Sequence, residues 1–307
     1  MRLVVAGYGS IGRRHVRSAR ALGHEVAVCR RSPTGDEGVA TFASLADASE
    51  WRPDAVVVAT PTALHVESLR SAVERGLHAY VEKPLAAASD GLRELLDDAR
   101  RRGLVVAVGY NLRFHPALEA IRDAIRGGAI GRLLSVRAEV GAYLPDWHPD
   151  EDYRESYAAR RDLGGGALLT LSHELDYVRW IAGEVDAIGG LAVRVGPLAL
   201  DVDDVAELTC RHAGGAVSSV HQDLLDRAYN RRSRWVGETG SIEWTWNGPA
   251  RRLPDGPTVW DDPSYELDRS YESALADFVG AVERGTAPRA TGDDGLRVVE
   301  LCEEVLR

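Results

Sequence analysis

Lys83 is the only lysine in a chain of 307 residues, and every other strong base is an arginine. A lysine can release its proton when its surroundings favour the neutral amine, whereas an arginine cannot. It sits in Glu82-Lys83-Pro84, directly after an apolar run at 78–81. At the end of a strand it would suit a general acid/base, or a cation that polarises a carbonyl. A second such group is His173, in Thr170-Leu171-Ser172-His173-Glu174-Leu175-Asp176. Its imidazole can carry protons near neutral pH. Read as one helix over 167–182, this segment has an aliphatic stripe at Leu168, Leu171, Leu175 and Val178. His173 then falls nearly opposite the stripe, flanked by Thr170, Asp176 and Tyr177. The long loop before it carries Trp147, Tyr153, Arg154 and Tyr157 and ends in Gly164-Gly165-Gly166. An aromatic, charged loop of that length predicts contacts to the hydroxyls and charge of a substrate.

A third group binds rather than reacts. Gly7-Tyr8-Gly9-Ser10-Ile11-Gly12 follows an apolar run and precedes a helical stretch ended by Gly23. In that context the first glycine permits a tight turn, the second a close approach of backbone to a pyrophosphate, and the third helix–strand packing. The helix start offers free N–H groups to phosphate. The next strand ends in Arg30-Arg31-Ser32, where an NAD-selective site carries an acid. Two guanidiniums and a hydroxyl suit a 2′-phosphate, so NADP(H) is expected over NAD(H).

The elements that position these groups alternate strand and helix to about residue 116, which predicts a parallel, doubly wound sheet. Ligands bind beyond the carboxyl ends of such strands. Thr60, Pro61 and Thr62 with His65, then Glu82 and Lys83, then Asn111 all follow strand ends, so all are expected at the cofactor. Asn111, Thr170, Lys83 and His173 are expected at the substrate as well. From 117 the pattern changes to long alternating runs with hairpin turns at Gly214-Gly215 and Thr239-Gly240, the pattern of an antiparallel sheet. The expected chain is α/β: a doubly wound Rossmann domain over 1–116 and an α/β substrate domain over 117–307. The second domain would have an open, mainly antiparallel sheet.

The net charge is −10 with no long basic run, which argues against nucleic acid or an anionic membrane as partner. The three cysteines form no CxxC pair, and no HExxH spacing occurs, so neither a disulfide framework nor a metal is expected. A reduced, cytoplasmic setting fits, and the early strand leaves no room for a signal peptide.

Together Gly7–Gly12, Thr60-Pro61-Thr62, Glu82-Lys83-Pro84, the run from Asn111 to Pro116 and the run from Gly164 to Asp176 resemble the Gfo/Idh/MocA family. The resemblance covers essentially the whole chain. It implies NAD(H)- or NADP(H)-dependent chemistry on sugars, cyclitols or their keto forms, and a homodimer or homotetramer formed through the open sheet of the second domain, 117–307, which serves oligomerisation as well as substrate. It also implies that Lys83 and His173 face the reactive carbon, with an Asp a turn before the His. That Asp is absent here: Leu169 and Thr170 stand at the possible positions. The departure keeps two alternatives in view, a reductase acting on C=N and a non-catalytic NADP(H)-binding sensor or scaffold.

Overall fold

The computed structural model describes residues 1–30 and 38–307; Arg31 and Ser32 lie outside the described residues. The first half of the chain runs β1 (Arg2–Ala6), α1 (Ser10–Ala21), β2 (Glu25–Cys29), β3 (Ala40–Phe42), β4 (Ala55–Val58), α2 (His65–Glu74), β5 (His78–Val81), α3 (Leu92–Arg101), β6 (Val106–Val108) and α4 (Pro116–Arg126). Then come β7 (Leu133–Gly141), α5 (Ala167–Thr170), α6 (His173–Ala182), β8 (Val185–Val193), β9 (Val205–His212), β10 (Val217–Asp223) and β11 (Asn230–Gly237). The last elements are β12 (Ser241–Thr245), β13 (Ala250–Leu253), β14 (Thr258–Trp260), α7 (Asp268–Arg284) and α8 (Gly292–Leu306). Two compact units result: Met1–Asn111 with Leu267–Val299, and Leu112–Glu266 with Glu300–Arg307.

The first unit holds a six-stranded parallel sheet in the order β3-β2-β1-β4-β5-β6. Its central strands are covered on both faces, so they are unbroken aliphatic runs: Leu3, Val4, Val5 and Val56, Val57, Val58 are fully buried. Helix α1 packs through Gly12, His15, Val16 and Ala19, the helical spacing of one face. The boundary expected at residue 116 is observed at 111, and the C-terminal segment 267–299 returns to the first unit rather than staying with the second. The reason is the surface that α7 presents. Phe278 meets Tyr80 edge-on at 5.8 Å, and Asp268 pairs with Arg14 of α1 at 3.0 Å. Helical periodicity reveals that α7 has an apolar face, but not which core that face joins.

The second unit holds an eight-stranded sheet in the order β14-β13-β12-β11-β7-β10-β9-β8. Only β7 and β10 pair in parallel; every other neighbour is antiparallel. The expected hairpins are present: Gly215 N–H bonds the His212 carbonyl, and Gly237 N–H bonds that of Gly240. One face buries Val136, Ala138, Val140, Val220, Trp235 and Trp244. The other exposes Arg137, Arg232, Arg234, Leu191, Val193 and Val217. No described helix is long and apolar enough to cross a membrane.

Candidate active site

In the first unit, the glycine turn is shaped by close approach. Gly7 has φ +97°, and a Cβ there would lie 2.5 Å from the Ala59 carbonyl oxygen. A Cβ on Gly12 would overlap the Gly7 carbonyl, whereas a Cβ on Gly9 would meet nothing within 4 Å. The middle glycine therefore faces open space, as a backbone that approaches a ligand must. Helix α1 begins beside it at Ser10 with no side-chain cap and no acid in its first turn, so its N–H groups and dipole remain available to an anion. Nearby, Thr60 Oγ1 and the Nε and Nη2 of Arg30 are buried without hydrogen-bond partners among the described residues. The Arg30 guanidinium lies 5.1 Å from the centre of the Tyr8 ring. Uncapped N–H groups, a glycine open to ligand and unpartnered polar atoms at strand ends fit a dinucleotide. Gly7, Gly9, Ser10, Ile11, Gly12, Thr60 and Arg30 would hold it.

The other expected cofactor residues are more committed to the fold. His65 is buried, with Nδ1 2.8 Å from the Pro84 carbonyl and Nε2 2.9 Å from that of Thr60. It ties two strand-end loops together. Burial pushes its pKa down, against the pull of both carbonyls. Thr62 is buried in the turn leading into α2. The Asn111 amide donates to Ser270 Oγ at 2.7 Å. Glu82 turns inward onto His15 Nε2 at 2.7 Å and accepts the Lys83 backbone N–H at 3.2 Å. Burial alone would raise the Glu82 carboxyl; the bond and charge of His15, then the charge of Lys83, bring it below the usual range. Lys83 itself is part-buried, and its bond to Pro84 is cis.

In the second unit, the helix expected over 167–182 is two helices. Helix α5 ends at Thr170 and α6 starts at His173. The break has identifiable supports. Gln222 of β10, fully buried, donates its amide to the Leu171 carbonyl at 2.6 Å. Asp203 caps the start of α5 through the Leu168 N–H at 2.8 Å. Gly165 and Gly166 leave room for the Tyr157 carbonyl and the Asp203 carboxylate, which side chains would overlap. His173 thus stands on the first turn of α6 rather than in mid-helix. Nor is α6 amphipathic as expected: its polar residues are buried too, because they are paired. Glu174 bonds Arg231 of β11 at 2.8 Å, and Asp176 takes a bidentate bond from Arg113 at 2.7 and 2.9 Å. Burial would lower the Arg231 guanidinium, but Glu174 beside it keeps it raised.

Thr170 is buried beside this break. Trp147, Tyr153 and Tyr157 pack against an apolar cluster that includes Val140, Leu144 and Leu171. The Tyr153 hydroxyl accepts the Ala199 N–H at 3.1 Å, and Arg154 folds back on Asp152 at 2.8 Å. Sequence reasoning missed His15, Arg113, Glu174, Gln222 and Arg231. Only His15 left a trace, as a polar residue one turn after Gly12 on the packing face of α1. Among the described residues no group of three or more His, Cys, Asp or Glu could hold a metal. All three cysteines are free and buried.

These features agree with the comparisons to known proteins. Residues 1–110 match the oxidoreductase family with NAD-binding Rossmann fold, and residues 118–243 match the GFO/IDH/MocA C-terminal domain. The rhizopine catabolism protein MocA of Rhizobium meliloti is 30% identical over 98% of this chain and 93% of its own length. Levoglucosan dehydrogenase of Pseudarthrobacter phenanthrenivorans is 33% identical over 84% of this chain and 80% of its own. A solved levoglucosan dehydrogenase in complex with NADH and levoglucosan superposes with TM-score 0.87 at 23% identity, covering 100% of this chain and 96% of that one. With its glycine turn, its parallel sheet and its mixed second sheet all matched, the chain belongs to the Gfo/Idh/MocA family of nicotinamide dinucleotide-binding oxidoreductases.

Proposed function

We propose that the protein uses NADP(H) to interconvert C–OH and C=O at one carbon of a sugar, cyclitol or related polyhydroxylated molecule. When bound, the nicotinamide supplies or accepts the hydride. The carbonyl oxygen gains negative charge as carbon is reduced, so a proton donor must face it. Lys83 is that donor, and the acceptor in the reverse direction. His173 passes the proton onward, and Thr170 and Asn111 contact the substrate. The single observation that carries this reading is one lysine, at a strand end of the nucleotide-binding sheet, next to a buried carboxylate. Levoglucosan dehydrogenase and the inositol 2-dehydrogenase of Rhizobium meliloti, 25% identical over 100% of this chain, support the substrate class.

The preference for NADP(H) is supported by Arg30, whose buried Nε and Nη2 lack hydrogen-bond partners among the described residues, and by the missing acid at the end of β2. Self-association through the open face of the second sheet is supported by the exposed Leu191, Val193 and Val217. A cytoplasmic setting is supported by the three unpaired cysteines. The test is calorimetry with NADPH and NADH, followed by hydride transfer to a panel of keto sugars, cyclitol ketones and imines. Tighter NADPH binding and turnover of a keto sugar or cyclitol are expected. Turnover of imines alone, or of nothing on the panel, would overturn the reading, and equal cofactor affinities would overturn the preference.

A further inference from the structure

The His15–Glu82 pair has the form of a built site rather than a staple. Both side chains are more than nine-tenths buried. His15 comes from α1, the helix that starts at the glycine turn, and Glu82 directly precedes Lys83. Their bond is 2.7 Å long. His15 Nδ1 is buried with no hydrogen-bond partner among the described residues. Gly109, at the end of β6, keeps the carboxylate's place open: a Cβ there would lie 2.9 Å from the Glu82 carboxylate carbon and from both its oxygens. The walls are aromatic. Tyr80 and Tyr271 stand edge-on to His15 at 5.3 and 6.1 Å. Such walls exclude water and leave the local charges strongly coupled.

We propose that His15 and Glu82 are positioning residues that set the charge of Lys83: His15 holds Glu82 ionised and turned inward, and the Glu82 carboxylate favours the protonated lysine. This deepens the proposed role of Lys83 and rests on that reading. The ionisable groups around the pair are Lys83 beside Glu82, His15 from α1, His65 from α2, Tyr80 from β5 and Tyr271 from α7. Of these, Lys83 is part-exposed, whereas His15 and His65 are fully enclosed. The charge of Lys83 helps keep Glu82 ionised, so by reciprocity Glu82 helps keep Lys83 protonated. His15 completes the arrangement. Without its donor, a buried carboxylate takes up a proton and its influence on Lys83 is lost.

A single lysine makes the proposal directly measurable. Protein grown with isotope-labelled lysine gives one lysine side-chain NMR resonance, whose chemical shift against pH reads the titration of Lys83 with no substrate present. Glu82→Gln is expected to lower the titration midpoint by about one pH unit or more, the scale of a close opposite charge. His15→Phe, which removes the donor, should lower it in the same direction. His15→Gln, which retains a donating amide, should leave it within a few tenths of a unit. Circular dichroism establishes that each variant is folded, and should Glu82→Gln not fold, the two His15 variants decide the matter. A midpoint unmoved in Glu82→Gln or His15→Phe overturns the proposal, as does an equal fall in His15→Phe and His15→Gln. The readout needs no turnover, so the two readings fail separately. A moved midpoint with a fully active Lys83→Met overturns the reaction role. An unmoved midpoint with an inactive Lys83→Met overturns the dyad alone.

Discussion

Lys83 and His173 stand on different units and are held in place by different forces. On the way to Lys83 the backbone itself is the constraint. The glycine turn works because Gly7 and Gly12 admit contacts that no side chain would allow, and the parallel strands carry Lys83 to their carboxyl edge. His173 depends on distant partners instead. Gln222 takes the carbonyl freed at the helix break, and Arg231 and Arg113 neutralise the two acids of the first turn of α6. Steric constraints of the first kind are insensitive to pH. Buried ion pairs of the second kind join residues 57 and 63 positions apart. They fail sharply when one partner is removed.

The contrast breaks most visibly at the glycines. Gly12→Ala is expected to abolish NADPH and NADH binding in calorimetry, because its Cβ would overlap the Gly7 carbonyl. The second unit should remain folded by near-ultraviolet circular dichroism. Retained cofactor affinity would show that the turn has more freedom than the structure allows it. Arg231→Met should do the reverse. It leaves Glu174 buried without its cation, a loss of about 3–5 kcal/mol in denaturant unfolding. Adding Glu174→Gln should recover part of that loss. A single variant within about 1 kcal/mol of the parent would remove the ion pair from the account.

Two histidines of the second unit sharpen the same point with pH. His115 accepts the Ala117 N–H at 3.2 Å, and burial followed by the Arg231 charge lowers its pKa to about 4. Its unfolded value lies near 6.5, so its contribution is complete above that pH and is lost as pH falls through about 4. On the order of 2 kcal/mol should disappear over that range in the parent, and less in His115→Gln. An unchanged acid slope in the variant would contradict this. His221 is the opposite case, raised to about 9 by its bond to Asp223, with a further bond to Glu207. Its contribution is complete below about 6.5 and is lost as pH rises through 9. The imidazole is 36% exposed, so solvent screening reduces the effect to about 1 kcal/mol. His221→Gln should flatten the alkaline limb of thermal stability, and an identical limb would count against the pair.

What could be read in the chain follows the same division. The glycine turn, the buried parallel strands and Lys83 at a strand end were legible because each is written in consecutive residues. The hairpins at Gly215 and Gly240 were legible for the same reason. The split between α5 and α6 was not. Residues 167–182 have ordinary helical periodicity, and the group that takes the carbonyl freed at the break lies on β10. The burial and pairing of Glu174 and Asp176 were not legible either, because their arginines lie far away in sequence. The return of α7 to the first unit was hidden likewise, since an apolar helix face does not name its partner. The absence of the acid that the family resemblance implies, at Leu169 or Thr170, was legible as a departure, and both residues are buried.

The most direct test of the account is Lys83→Met, measured on one preparation for NADPH affinity and for hydride transfer to the panel substrate the parent turns over fastest. The account predicts cofactor affinity within a few-fold of the parent and turnover lowered by on the order of a hundredfold or more, the scale of a positioned acid/base. Lys83→Arg should be similarly impaired, because a guanidinium keeps its proton. Parental turnover in Lys83→Met would contradict the account, and parental turnover in Lys83→Arg alone would reduce the role of Lys83 to its charge.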